Sequence, residues 1–460
     1  MENTSISTEI LQIISSYEAY NYKIVPYMKD TDTITFYGEK SVDYIDIKDE
    51  LEILLGKNII ITQIENSDFD KLINKNYREG SSNNESITDV KTISQGKGFL
   101  INLIEEAFDC YASDIHFEPY DERCRIRFRV DGQLIERYVI DKVDYPSLIN
   151  QIKIFANLDI SEKRLPQDGR IFFNKENKKF DVRVSSLPTI YGEKIVLRLL
   201  TRHKELLDIE NLGFSERELK DYKEAINNPH GLILITGPTG SGKSTTLYAT
   251  LRLLNNNISN ILTIEDPVEY TLEGINQVQL KEDIGLTFGV ALRTFLRQDP
   301  DIIMLGEIRD GDTAQMAIRS ALTGHLILST IHTNSAWGSI SRLSDMGVHE
   351  YLISDTLVMC VAQRLVRLLC PHCKKRGEKY YSAVGCDKCY HTGYMGRKAI
   401  YEVIKIDNNL REFIKKGEND ITEYLIKNKI TTLSDSALNL LNSGLTSQEE
   451  VLSIITKQAL

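Results

Sequence analysis

The sequence predicts an α/β protein of about three domains, in which a parallel sheet carries a glycine-rich loop. Three observations predict it. At 460 residues the chain exceeds what one hydrophobic core accommodates. Its 42% hydrophobic and 26% charged residues are those of a globular protein. Short apolar runs such as LILI, Leu232 to Ile235, end in glycine or charge and lead into stretches of good helix formers. No apolar run approaches the roughly 18 residues of a membrane span, and MENTSISTEI lacks the basic and apolar regions of a signal peptide, so a cytoplasmic location is expected. The formal charge of −11 is concentrated at the front, where residues 1–90 hold 8 basic and 17 acidic side chains and leave −2 for the rest. Neither part has the basic excess of a general nucleic-acid binder.

Along the chain, residues 1–78 alternate helical and strand-like stretches and read as an N-terminal α/β domain. The polar EGSSNNESITD marks 79–94 as a flexible linker. A smaller α+β domain over 95–200 opens on the amphipathic helix GFLINLIEEAFDCYA. It continues with the hairpin CRIRFRVDGQLIERYVI, turning at Asp131-Gly132, and with strands at 170–174, 179–187 and 194–200. Arg125, Arg127 and Arg129 share one face of the first hairpin strand, where nucleic acid, a neighbouring subunit or solvent are the open readings. TRHKELLDIENLGFSE makes 201–215 a hinge, and the loop-bearing unit runs over 216–369. A cysteine module, 370–400, and a helical region, 401–460, complete the chain.

GPTGSGKST lies between the strand at 232–235 and a helix, and fits the Walker A pattern. Gly237, Gly240 and Gly242 permit the turn; Pro238, Thr239, Ser241 and Thr245 complete a backbone cradle for phosphate. Lys243 would reach the β and γ phosphates of ATP and Ser244 would offer its hydroxyl to Mg²⁺. ILTIEDPVEY places Glu265 at a strand's carboxyl end, the side on which open α/β sheets bind ligands. An acidic residue there could orient or deprotonate water; the plain alternative is an acidic loop. DPDIIMLGEIRD puts Glu307 just past another strand, with Gly306 where an Asp is common, and Glu307 could serve Mg²⁺ through a bound water. His332, ending TGHLILSTIH, could sense the γ-phosphate or be a structural histidine.

Cys370, Cys373, Cys386 and Cys389 form two CxxC pairs. Four thiolates at this spacing suit tetrahedral Zn²⁺ with no open position, against a redox pair or a metal-free loop.

These segments in this order resemble the type II secretion and type IV pilus assembly ATPase family from about residue 95 onward. ASDIHFEP, RVDG, LPQDGR, DVRVSSLPTIYGEKIVLRLL and AQRLVRLLCPHC also match family segments. The resemblance implies a RecA-like ATPase core preceded by a PAS-like second domain, assembled as a homo-hexamer. It implies a location on the cytoplasmic face of a membrane, docked to a platform protein and acting on pilins or pseudopilins. It makes Glu265 the catalytic carboxylate, Glu307 the Walker B acid and His332 the His-box residue. Arg183 and Arg198 match arginines that the second domain brings to the nucleotide, and Arg293, Arg297, Arg309 and Arg342 are further motif positions. The four cysteines favour an assembly or secretion motor over a retraction motor, and pilus assembly is the first choice over type II secretion. The N-terminal domain looks shortened and lacks an Arg-Leu-Gly motif, which speaks against cyclic di-GMP binding. A nucleic-acid translocase is the reading from a different class.

Overall fold

In the computed structural model, residues 6, 8–11, 13–14, 16–30, 32–76, 98–175, 178–200 and 208–458 are described. The expected linker at 79–94 and the first part of the expected hinge, 201–207, lie outside them. The chain divides into two compact units, Met1–Ile87 and Thr88–Leu460.

In the first unit β1 (Ile24–Lys29) pairs antiparallel with β2 (Thr33–Glu39), and β2 pairs parallel with β3 (Asn58–Ile64). A parallel neighbour requires a crossover, which the helix Ile45–Leu55 supplies. Gly56, at φ 64°, ends that helix in the left-handed conformation. Ile24, Phe36, Leu51, Ile59 and Phe69 form the core.

The second unit begins with an α+β layer pair. Strands β4 (Asp114–Pro119), β5 (Arg123–Val130), β6 (Gln133–Asp141), β7 (Gln167–Lys175), β8 (Lys178–Thr189) and β9 (Gly192–Leu200) make an antiparallel sheet in the order β6-β5-β4-β9-β8-β7. Alternation decides its faces: Ile115, Phe117, Ile126, Phe128, Val182 and Leu197 pack with the helices Phe99–Asp109 and Tyr145–Phe155. Residues one step out of phase with these fall on the other face, among them Asp114, Glu118, the arginine row and Arg198. There Arg125 Nε and Arg127 Nη2 lie 2.9 and 2.8 Å from Glu118, and Lys194 3.1 Å. Burial opposes the charge on Glu118, yet these cations hold its carboxyl down at about 2. The arginine row is thus a paired surface.

The larger part is a seven-stranded sheet with helices on both faces. Its strands are β10 (Gly231–Thr236), β11 (Ile261–Glu265), β12 (Asn276–Gln279), β13 (Ile302–Leu305), β14 (Leu326–Ile331) and β15 (Leu357–Leu369). After a small hairpin of β16 (Lys375–Arg376) and β17 (Tyr381–Ser382) comes β18 (Tyr394–Lys405). The order is β12-β11-β13-β14-β10-β15-β18, parallel throughout except that β18 runs antiparallel to β15. Every residue of β10, β11, β13 and β14 is buried, as a sheet covered on both sides requires.

Here the sequence boundaries at 369 and 400 need revision. The cysteine module is an excursion between β15 and β18, and the sheet resumes at Tyr394. Local periodicity could not reveal this, because a strand's membership of a sheet is decided by a partner some thirty residues away. The excursion and the start of β18 touch the second domain: Tyr390 Oη lies 2.8 Å from Cys110 Sγ, Arg137 stacks 4.8 Å from the Tyr390 ring, and Asp131 accepts the N–H of Gly396 in β18 at 2.7 Å.

Candidate functional site

Because β10, β11, β13 and β14 are parallel, their carboxyl ends share one edge, and at or within two residues of each end lies a residue singled out above. β10 runs into the glycine-rich loop, with Gly237, Gly240 and Gly242 at φ 153°, 78° and 90°. A Cβ on Gly237 would lie 2.5 Å from the Gln363 carbonyl oxygen, so the turn needs glycine twice over. The helix Lys243–Leu254 starts at this loop and points its free N–H groups into it. Lys243 folds back, donating to the carbonyls of Gly237 at 2.8 Å and Pro238 at 3.1 Å. Burial pushes its ammonium down to about 8, with Glu307 opposing. Ser241 Oγ is buried and has no partner among the described residues. An underused cation, an orphaned hydroxyl and free helix N–H groups are what a phosphate group would satisfy.

Glu307 and His332 meet at the same edge. His332 Nδ1 lies 3.1 Å from the Gly237 carbonyl and Nε2 lies 3.3 Å from Glu307. Both partners accept, so the ring makes both bonds only as imidazolium. Arg309 closes on the other Glu307 oxygen and reaches Asp266 at 3.2 Å. Burial works to raise the Glu307 carboxyl, but Arg309 and then His332 hold it below its ordinary value.

Glu265 is placed differently. Its side chain is turned inward, accepting from Thr263 Oγ1 at 2.6 Å and Gln277 Nε2 at 3.1 Å on Oε1, and from Tyr248 Oη on Oε2. Arg183 reaches the loop that follows it, donating to the Val268 carbonyl at 2.6 Å with Glu269 at 3.6 Å. Arg198 faces Arg183 in the β8–β9 register but pairs with Asp114 at 2.8 Å. In this structure Arg183 touches the Glu265 loop, and Arg198 stays within its own domain.

Sequence reasoning missed several participants. Tyr248 sits within a helix of apolar and threonine residues and reads there as core. Gln363 bonds Thr246 at 2.8 Å, and the buried Arg364 donates to the Asn334 carbonyl at 3.0 Å, two residues after His332. The polar pair Gln363-Arg364 within the largely apolar run LVMCVAQRLV was the available signal.

The four cysteine sulfurs lie within 4.8 Å of one another, with separations of 3.9 Å for Cys370–Cys386 and 3.7 Å for Cys373–Cys389 and Cys386–Cys389. These exceed a disulfide bond of about 2.05 Å. They match the edge of about 3.8 Å that a tetrahedron with metal–sulfur bonds of about 2.3 Å requires. N–H groups of Gly385, Cys386 and Gly393 point at Cys373 and Cys389 sulfurs at 3.2 to 3.3 Å, as thiolates would favour. The donor set fits Zn²⁺.

Comparison with known proteins gives the family. Residues 94–453 match the model of the Type II/IV secretion system protein family. The chain is 46% identical over 376 residues to the type II secretion system protein E of Dickeya dadantii, covering 78% of this chain and 76% of that one. It is 47% identical over 376 residues to the type IV pilus assembly ATPase PilB of Myxococcus xanthus, covering 76% and 66%. Among solved structures, the pilus retraction motor PilT with bound ADP superimposes with a TM-score of 0.55 at 27% identity, covering 77% of this chain and 96% of that one.

Proposed function

From the premise that this chain belongs to the Type II/IV secretion system protein family and is an ATPase, we propose that it is a hexameric motor at the cytoplasmic face of a membrane. It hydrolyses ATP to assemble a filament of pilin-like subunits through a membrane platform protein. The observation that carries this reading is the convergence of the phosphate loop, Glu307 and His332 at one sheet edge, with Glu265 ending the neighbouring strand. Gly237 to Thr245 cradle the phosphates and Lys243 balances their charge. Ser244 and Glu307 would hold Mg²⁺, which when bound supplies positive charge to the phosphoryl oxygens. Glu265 orients the attacking water, and His332 responds to the terminal phosphate. Arg183 and Arg198 give the PAS-like second domain its stake in the nucleotide state. Cys370, Cys373, Cys386 and Cys389 hold a structural Zn²⁺ with no open coordination position.

Type IV pilus assembly is the first reading. Assembly of a pseudopilus for type II secretion is the second, and the identities of 46% and 47% to one protein of each kind support the two equally. In the native cell, deleting the gene separates them: loss of surface filaments with secretion intact marks the first, and the reverse marks the second. The enzymatic assignment is tested by Glu265→Gln, which should keep nucleotide binding while phosphate release falls about 10²- to 10³-fold. Near-normal release in that variant sinks the role given to Glu265. Elemental analysis should find one zinc per chain, lost in Cys373→Ser.

A further inference from the structure

A single peptide plane, Val268–Glu269, is held from both sides. Arg183 Nη2 donates to its carbonyl at 2.6 Å, and its N–H, on Glu269, donates to the Tyr248 hydroxyl at 3.2 Å. Arg183 belongs to β8 of the second domain, and Tyr248 to the helix that begins at the phosphate loop. Tyr248 in turn gives its proton to Glu265 Oε2. The direction of that last bond is forced. The phenol oxygen already receives the Glu269 N–H, with Gln277 Nε2 a further donor at 3.5 Å, so its one hydrogen is free only for the carboxylate. Burial, and then the Glu265 charge, push the Tyr248 hydroxyl far above its ordinary value, which keeps it a donor.

A carboxylate has about four acceptor positions. Tyr248, Thr263 and Gln277 occupy three on Glu265, which fixes the plane of the group. Thr263 lies on the same strand as Glu265 and Gln277 on the strand beside it, so neither moves with the second domain. Tyr248 is the only one of these three donors tied to the Val268–Glu269 peptide. Hydrogen bonds in series polarise one another, so a guanidinium on the carbonyl strengthens the N–H on the far side of the same plane.

We propose that Tyr248 is a positioning residue for the Glu265 carboxylate, and that Arg183 acts on the reaction through the Val268–Glu269 peptide and Tyr248 of its own chain. The proposal rests on Glu265 being the carboxylate that orients water. It makes the second domain's position legible at the reacting group without requiring Arg183 to touch phosphate.

The test uses the full chain and steady-state ATP hydrolysis, with a non-hydrolysable ATP analogue to measure binding. Tyr248→Phe keeps the ring and removes the hydroxyl; kcat should fall about tenfold to hundredfold with KM and analogue affinity unchanged. Arg183→Met, on an independent element, should give a fall of the same kind. The double variant should be no slower than the slower single variant, because both substitutions cut one relay. Wild-type kcat in Tyr248→Phe overturns the proposal, as do fully multiplicative effects in the double variant. Glu265→Gln, measured alongside, tells the two failures apart. If it is inactive while Tyr248→Phe is fully active, the positioning role is wrong and the carboxylate assignment stands. If it is itself active, the carboxylate assignment falls first and the relay with it.

Discussion

On the open face of the second domain the carboxylates are already answered, Glu118 by Arg125, Arg127 and Lys194, and Asp114 by Arg129 and Arg198. At the carboxyl edge of the large sheet the arrangement is inverted. Among the described residues Lys243 bonds backbone carbonyls, with the Glu307 charge nearby but not bonded to it, Ser241 Oγ has no partner, and a helix N-terminus opens onto the loop. Both surfaces are rich in charge and both hold unpartnered polar atoms, His116 and Arg183 Nε on the first, but on the second a lysine, a hydroxyl and a helix N-terminus converge with no carboxylate bonded to them among the described residues. Charge alone therefore says little about where an anion binds; what matters is whether the charge is already spent on a neighbour.

The sharpest way to break this contrast is Lys243→Ala, which should lower ATP hydrolysis by at least about 10³-fold and abolish analogue binding. A variant that still binds would mean the loop's backbone suffices. A smaller effect, with a definite sign, comes from pH. Burial holds the free Lys243 ammonium at about 8, and a bound phosphate restores its charge. Below that pH the site is already charged and analogue affinity should be flat. Above it each binding event must take up a proton, so affinity should weaken with rising pH, approaching about tenfold per pH unit. Calorimetric titration in buffers of different ionisation enthalpy measures that uptake, and a flat profile across the alkaline range contradicts it. The smallest effect is expected from Arg125→Gln. With its charge committed to Glu118, the variant should keep analogue affinity within about twofold, and neither it nor the parent should show DNA-stimulated hydrolysis. Stimulation that falls steeply with salt would show that the paired face still has charge to offer.

Much of the candidate site's placement was legible because the strands of a parallel sheet end on one edge. β10, β11, β13 and β14 are short apolar runs that can be read locally. The positions of GPTGSGKS after β10, Glu265 at the end of β11, Glu307 two residues past β13 and His332 after β14 therefore follow from the strand endings, while the inward turn of the Glu265 side chain does not. What escaped was decided by partners distant in sequence. Tyr248 looks like core because its ring is core, and only the fold shows that its hydroxyl meets Glu265 and the Glu269 N–H. Arg183 was legible as a motif position but not as a ligand of the Val268 carbonyl. The return of the chain into the sheet at β18 was hidden for the same reason.

β15 has a consequence of its own. It runs for 13 residues, about 40 Å of extended chain at about 3.3 Å each. It lies against β10 directly beneath the phosphate loop and ends one residue before Cys370. Its pairing with β18 slips only between Arg367 and Leu369. The four-cysteine lobe and the strand beneath the glycine-rich loop are therefore parts of one continuous, paired length of chain, so a displacement of the lobe along the strand axis would be felt at the loop.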